Sequence, residues 1–140
     1  VKFIPHGKLS ASIEDDIFII DGTGPWNKEA LEQATRDFSA FHQELYGKKW
    51  GVLVLTHGDP IHTPDASHFL IDAIKTDKKH GRISTALVIK DCDDIKFAKI
   101  HIRDIYHKAG ENLQFFKSEQ SAKHWLQAQL SAANKLVIQG

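Results

Sequence analysis

The chain has 140 residues, with 18 basic and 18 acidic side chains and a formal net charge of zero. That length suits one domain with its own core, and balanced charge without a basic stripe argues against a nucleic-acid partner. One cysteine, Cys92, excludes a disulfide framework and fits a reducing, cytoplasmic setting.

Methionine is wholly absent. Val1 to Leu9 holds two lysines and no long apolar run, so it does not read as a secretory signal. Leu9, Ala11 and Ile13 alternate, Asp15-Asp16 makes a turn, and Ile17 to Ile20 is a continuous apolar run. Together they predict a β-hairpin whose second arm is a central strand. Asp21-Gly-Thr-Gly-Pro-Trp-Asn27 ends it as a loop, and Asn27 is a good N-cap. Leu31, Ala34, Phe38, Phe41 and Leu45 keep a helical period, which predicts one helix from Lys28 to Tyr46 stopped by Gly47.

Trp50 to Thr56 is the most informative stretch. Val52 to Leu55 leaves no polar face, as expected of a strand covered on both sides. Thr63 caps the next helix and Pro64 takes its first position, where the missing N–H costs nothing. Ala66, Phe69, Leu70, Ala73 and Ile74 form its inner face, and Gly81 ends it. The basic cluster Lys78, Lys79, His80 and Arg82 reads as a solvated helix end that suits the dipole.

Ile83 to Ile89 is a further strand. Asp91, Asp93 and Asp94 precede a helix with its stripe at Ile95, Ala98, Ile102, Ile105 and Ala109, while Phe97 and Ile100 widen its apolar surface. Leu113 to Lys117 is the last strand, and Ser118 caps a helix with Ala122, Trp125, Leu126 and Leu130 inward. Residues 131–140 carry Leu136-Val-Ile138 without a clear period and are set apart as a tail, leaving 1–130 as the domain.

A hairpin followed by alternating helices and strands implies an α/β fold with a mostly parallel central sheet. If each right-handed crossover steps one strand further in the same direction, the helices lie mainly on one face. The other face then needs a cover, and a homodimer or other protein partner is expected there. No segment reaches the roughly 18 apolar residues of a membrane span.

This order of elements resembles the STAS, or SpoIIAA-like, family, which includes anti-sigma-factor antagonists and the cytosolic domains of sulphate transporters. Within it the chain is most similar to a bacterial SpoIIAA-like branch of undefined function. The resemblance is carried by Gly24-Pro-Trp-Asn27, by Trp50 at the head of the central strand, by Thr63-Pro64, and by Phe116-x-Ser-x-x-x-Ala-x-x-Trp-Leu126. It spans roughly Phe3 to Leu130. It implies a non-enzymatic regulatory or binding module, for a protein partner or a small apolar or anionic ligand. Anti-sigma antagonists carry a phosphorylatable serine in an Asp-Ser-Ser-Gly-like motif at the second helix. The matching place here reads Thr63-Pro-Asp-Ala-Ser67, so Thr63 and Ser67 are the phosphoacceptor candidates of a phospho-switched alternative, without the Ser-Ser-Gly signature.

Ligands of open α/β sheets gather beyond the C-terminal strand ends. The loops expected there carry Asp21, Thr23, Trp26, His57, Asp59, His62, Thr63 and Asp91 as candidate ligand-binding residues, against the simpler reading of Thr63 as a cap worth about 1 kcal/mol. Trp26 reads as a plug at the sheet edge. His57, Asp59 and His62 also allow a hydrolytic or metal-dependent enzyme. Their spacing, with Asp65 and His68, matches no standard metal motif, so neither metal nor catalytic residues are assigned. His101, Asp104 and His107 on the third helix read as a local ion pair or a solvated face. Cys92 lies at a helix start, a position that can lower a thiol's pKa. No dinucleotide, phosphate-loop, nucleophile-elbow or His-Glu-x-x-His motif is present, and no cofactor is expected.

Overall fold

The run Val52 to Leu55 is apolar on both sides because both sides are covered. In the computed structural model, which describes residues 9–139, it lies in β3 (Trp50–His57), the centre of a five-stranded sheet ordered β1-β2-β3-β4-β5. β1 (Ser10–Glu14) and β2 (Ile17–Thr23) form the antiparallel hairpin. β4 (Arg82–Lys90) and β5 (Asn112–Phe116) continue the sheet in parallel. The reading of Val1 to Leu9 falls, but for Leu9, outside the described residues.

Alternation along β3 divides its side chains between two layers. Trp50 and Val52 pack with Ala30, Phe38 and Leu45 of the helical layer formed by α1 (Lys28–Asp37) and α2 (Ser39–Leu45). Val54 packs on that layer and on Ile74, Ile102 and Ile105, from α3 (Pro64–Lys79) and α4 (Ile95–Lys108). Leu53 and Leu55 face the other way, onto Ala122, Leu126 and Leu130 of α5 (Glu119–Gln139). Four helices therefore cover one face and α5 covers the second.

Three expectations change. The single helix predicted for Lys28 to Tyr46 is two, because Phe38 leaves helical geometry at φ −99° and ψ 10°. The break lets both Phe38 and Phe41 reach the Phe18 ring, at centroid distances of 6.1 and 5.8 Å. Residues 131–139, read without a clear period, are helical: α5 runs unbroken through residue 130 to Gln139. Because α5 fills the face expected to be open, no second copy is needed to bury Ile17, Leu53 and Leu55.

The basic cluster also divides. Lys79 and His80 are exposed, but Arg82 is buried at 7 % exposure inside an ion-pair network. The caps Asn27, Thr63 and Ser118 stand as expected, and Asp94, read only as negative charge before its helix, caps as well: each accepts a backbone N–H from three residues on. Phe97 and Ile100 are exposed on α4. Among the described residues no helix is long and apolar enough to cross a membrane.

Candidate functional site

α1 packs against α3, whereas α2 stands away from it. Ala34 of α1 and Ala73 of α3 contribute small side chains to the wall of the space this leaves. The result is a slot of about 740 Å³ over β2 and β3, walled by Leu31, Ala34, Phe38, Leu70 and Ala73 and floored by Phe18, Ile20 and Val54. The exposed side chains of Ser39 and Gln43 on α2, and of Asp72 and Thr76 on α3, form its lips. Protein interiors normally close to crystal-like density. A space this large, mostly apolar and edged by a few polar groups, has the character of a small-molecule site.

One end is closed by Trp26. Its N–H donates to the Ile61 carbonyl at 2.8 Å and its carbonyl accepts from Thr63 N–H at 3.1 Å, which ties the first loop to the loop after β3. The indole closes on Gly22, where an added Cβ would sit 2.7 Å from the ring, so only glycine admits this approach. Thr56 is the register neighbour of Gly22 and lines the same end. It is 3 % exposed, and its Oγ1 has no hydrogen-bond partner among the described residues. His62 completes this end. Its backbone N–H donates to His101 Nε2 at 3.1 Å, and its Nδ1 lies 3.4 Å from the same atom. Burial, with the neighbouring His101 as the lesser cause, pushes the His62 imidazole down to about 4. Burial also lowers His101, against the pull of Asp104.

The opposite end is polar but closed on itself. Arg82 donates to Glu111 at 2.7 Å, to Asp77 at 3.1 Å and to Thr85 Oγ1 at 2.8 Å. Thr85 donates onward to Glu111 at 2.7 Å, Lys78 reaches Glu111 at 2.8 Å, and Tyr46 O–H donates to Asp77 at 2.8 Å. Although burial works against it, the Arg82 guanidinium, with Lys78, holds Glu111 below the usual carboxylate range. Burial keeps His42 neutral-leaning, opposed by Asp77 and reinforced by Arg82. Two cations face two carboxylates, and the network carries no spare charge.

The candidate residues do not converge on one point. His57 Nε2 lies 3.1 Å from Asp21 Oδ1 and its Nδ1 3.7 Å from Asp91 Oδ2, with Thr23 opposite His57 in the β2–β3 register. By strand alternation this group shares the α5 side with Leu55. Asp59 is exposed and accepts from Cys92 Sγ at 3.6 Å. Burial first, then the Asp59 and Asp93 carboxylates, push that thiol up rather than down. Thr63 is an exposed cap that donates to Asp65 at 2.7 Å and accepts from Ala66 N–H at 3.3 Å, and Ser67 is half-buried one turn into α3. Trp26 and His62 alone reach the slot. Asp104 pairs locally with Lys108 at 3.0 Å, as expected of that helix, but His101 turns to His62 instead. No group of three or more metal-binding side chains comes together among the described residues.

Sequence reasoning missed Thr56, His101 and the Arg82 network. Thr56 read as the end of an apolar strand, and 39 residues separate His62 from His101, so no local pattern joins them. No protein-family model, curated protein or solved structure matches the chain.

Proposed function

We propose that this chain is a STAS-like, non-enzymatic binding module that holds a small, mainly apolar molecule in the slot between α1–α2 and α3. The observation that carries this is the slot itself, about 740 Å³ of mostly apolar-walled space. The dispersal of the polar candidates supports binding over hydrolysis. His57, Asp59 and His62 each engage separate partners, whereas general acid–base work requires groups within reach of one reacting centre.

The test uses N-phenyl-1-naphthylamine, a neutral apolar dye that brightens on leaving water. Saturable binding with quenching of tryptophan emission is expected, because Trp26 lines the slot. Ala73→Phe, which projects a ring into the space, should abolish it while the protein stays folded. Dye binding that survives the filled slot rejects the proposal.

A further inference from the structure

Resting on the binding role proposed above, the geometry points to the class of ligand: we infer that the slot takes a neutral amphiphile, an apolar body with one uncharged oxygen function, seated with that oxygen at Thr56. Two independent features carry this.

The first is the Thr56 hydroxyl. Thr56 lines the slot and is 3 % exposed, and its Oγ1 is buried with no partner among the described residues. A buried hydroxyl without a hydrogen bond is costly. Its neighbours cannot relieve it: Gly22 beside it has no side chain and the Trp26 ring lies over that glycine. A ligand hydroxyl or carbonyl placed there supplies the missing bond, since a threonine hydroxyl both donates and accepts.

The second is the charge around the space. Among the described residues Arg82 is the sole lysine or arginine in the wall, and Glu111, Asp77 and Thr85 already occupy its Nε, Nη1 and Nη2 atoms. The other charged groups of the wall, Asp72 and Asp77, are acids. His62, at the Thr56 end, is held neutral at physiological pH. A carboxylate or phosphate head seated at Thr56 would enter without a free counter-charge, which leaves its desolvation uncompensated. The anionic option left open by the sequence is therefore disfavoured, and an alcohol, ketone, aldehyde or ester is favoured.

The experiment displaces bound N-phenyl-1-naphthylamine at pH 8 with 1-decanol, with 1-chlorodecane and with decanoate, all below micellar concentrations. Wild type, Thr56→Val and Thr56→Ser are compared. Decanol is expected to bind more tightly than decanoate. Thr56→Val should weaken decanol about fivefold, the worth of one neutral hydrogen bond, while leaving chlorodecane unchanged or tighter. Thr56→Ser keeps the hydroxyl and should keep the decanol preference. Decanoate binding as tightly as decanol overturns the inference, and so does an equal effect of Thr56→Val on decanol and chlorodecane. If the dye binds and is blocked by Ala73→Phe, either of those results leaves the slot standing and removes only the neutral head group. If neither the dye nor any decyl compound binds, the slot reading fails and this inference with it.

Discussion

At the Arg82 end of the slot, Arg82, Thr85, Glu111, Asp77 and Tyr46 hold one another through hydrogen bonds of 2.7–3.1 Å. At the Trp26 end, the Thr56 hydroxyl is as deeply buried and has no partner among the described residues. Both ends lie in one sheet under one layer of helices, so the difference is in how completely polar groups are satisfied. A saturated network fixes the fold and has nothing left to offer a ligand. An orphaned hydroxyl contributes nothing to the fold and has its bonding capacity free.

The largest effect follows from breaking the saturated end. Arg82→Met leaves Glu111 and Asp77 buried without their main counter-charge and should cost about 3–5 kcal/mol in denaturant unfolding. Arg82→Met combined with Glu111→Gln should recover part of that loss, because one stranded charge is gone. A cost for Arg82→Met below about 1 kcal/mol would mean that this end is as loosely held as a surface ion pair.

Protonation probes the opposite end. His62, His101 and His42 all bind a proton less readily folded than unfolded. Below the unfolded value near 6.5 the unfolded chain takes up more protons, so stability is complete above that pH and falls as the pH drops toward about 4. His62 alone contributes up to about 3 kcal/mol to this fall at its full extent. Glu111, held below 4.5, adds its own loss only further down, which leaves the range from 6.5 to 4.5 to the histidines. His62→Asn should flatten the stability curve in that range, measured by urea midpoints at a series of pH values. An unchanged slope would show that His62 is not desolvated at the Trp26 end.

The slot can be set against the closed layer beneath the sheet with one substitution at two alanines. Ala86 is fully buried among Leu53, Leu55 and Leu126, and Ala86→Leu should cost about 1–3 kcal/mol by overpacking. Ala73 faces the slot, and Ala73→Leu should change stability by less than about 0.5 kcal/mol, within the range of a surface substitution. Equal costs at the two positions would argue that the slot is closed in solution.

How much of this was legible in the sequence depended on whether the signal was local. Val52 to Leu55 announced a strand covered on both faces, and the caps at Asn27, Thr63 and Ser118 fell where side-chain chemistry places them. Phe38 fitted the helical period from Leu31 to Leu45, so its break was invisible; what turns the chain there is the Phe18 ring, far away in sequence. The slot was invisible for a related reason. Leu31, Ala34, Leu70 and Ala73 give the same periodic stripe whether two helices touch or leave a gap, and only the small size of Ala34 and Ala73 hinted at it. Arg82 looked solvated because its neighbours Lys79 and His80 are, while Glu111, 29 residues on, gives no local sign of the pairing. The loop candidates followed a rule about strand ends that holds for their position and says nothing of which face each side chain takes.

The sharpest comparison is one substitution that should have opposite signs in two neighbouring strands. Thr85 and Thr56 are both buried, at 0 % and 3 % exposure. Valine matches threonine in shape and branching and suits a strand equally well, so the hydroxyl is all that changes. At Thr85 it accepts from Arg82 and donates to Glu111, and Thr85→Val should cost about 1.5–3 kcal/mol, the worth of hydrogen bonds to charged groups. At Thr56 the hydroxyl is buried without return, and Thr56→Val should raise the stability of the ligand-free protein by about 1 kcal/mol. Thermal or urea unfolding of the two variants decides it. A loss of stability at Thr56 would mean that its hydroxyl already has a partner, and the two ends of the slot would then be alike. A gain there, beside a loss at Thr85, identifies Thr56 as a residue kept at the expense of stability, the usual mark of a position retained for what it binds.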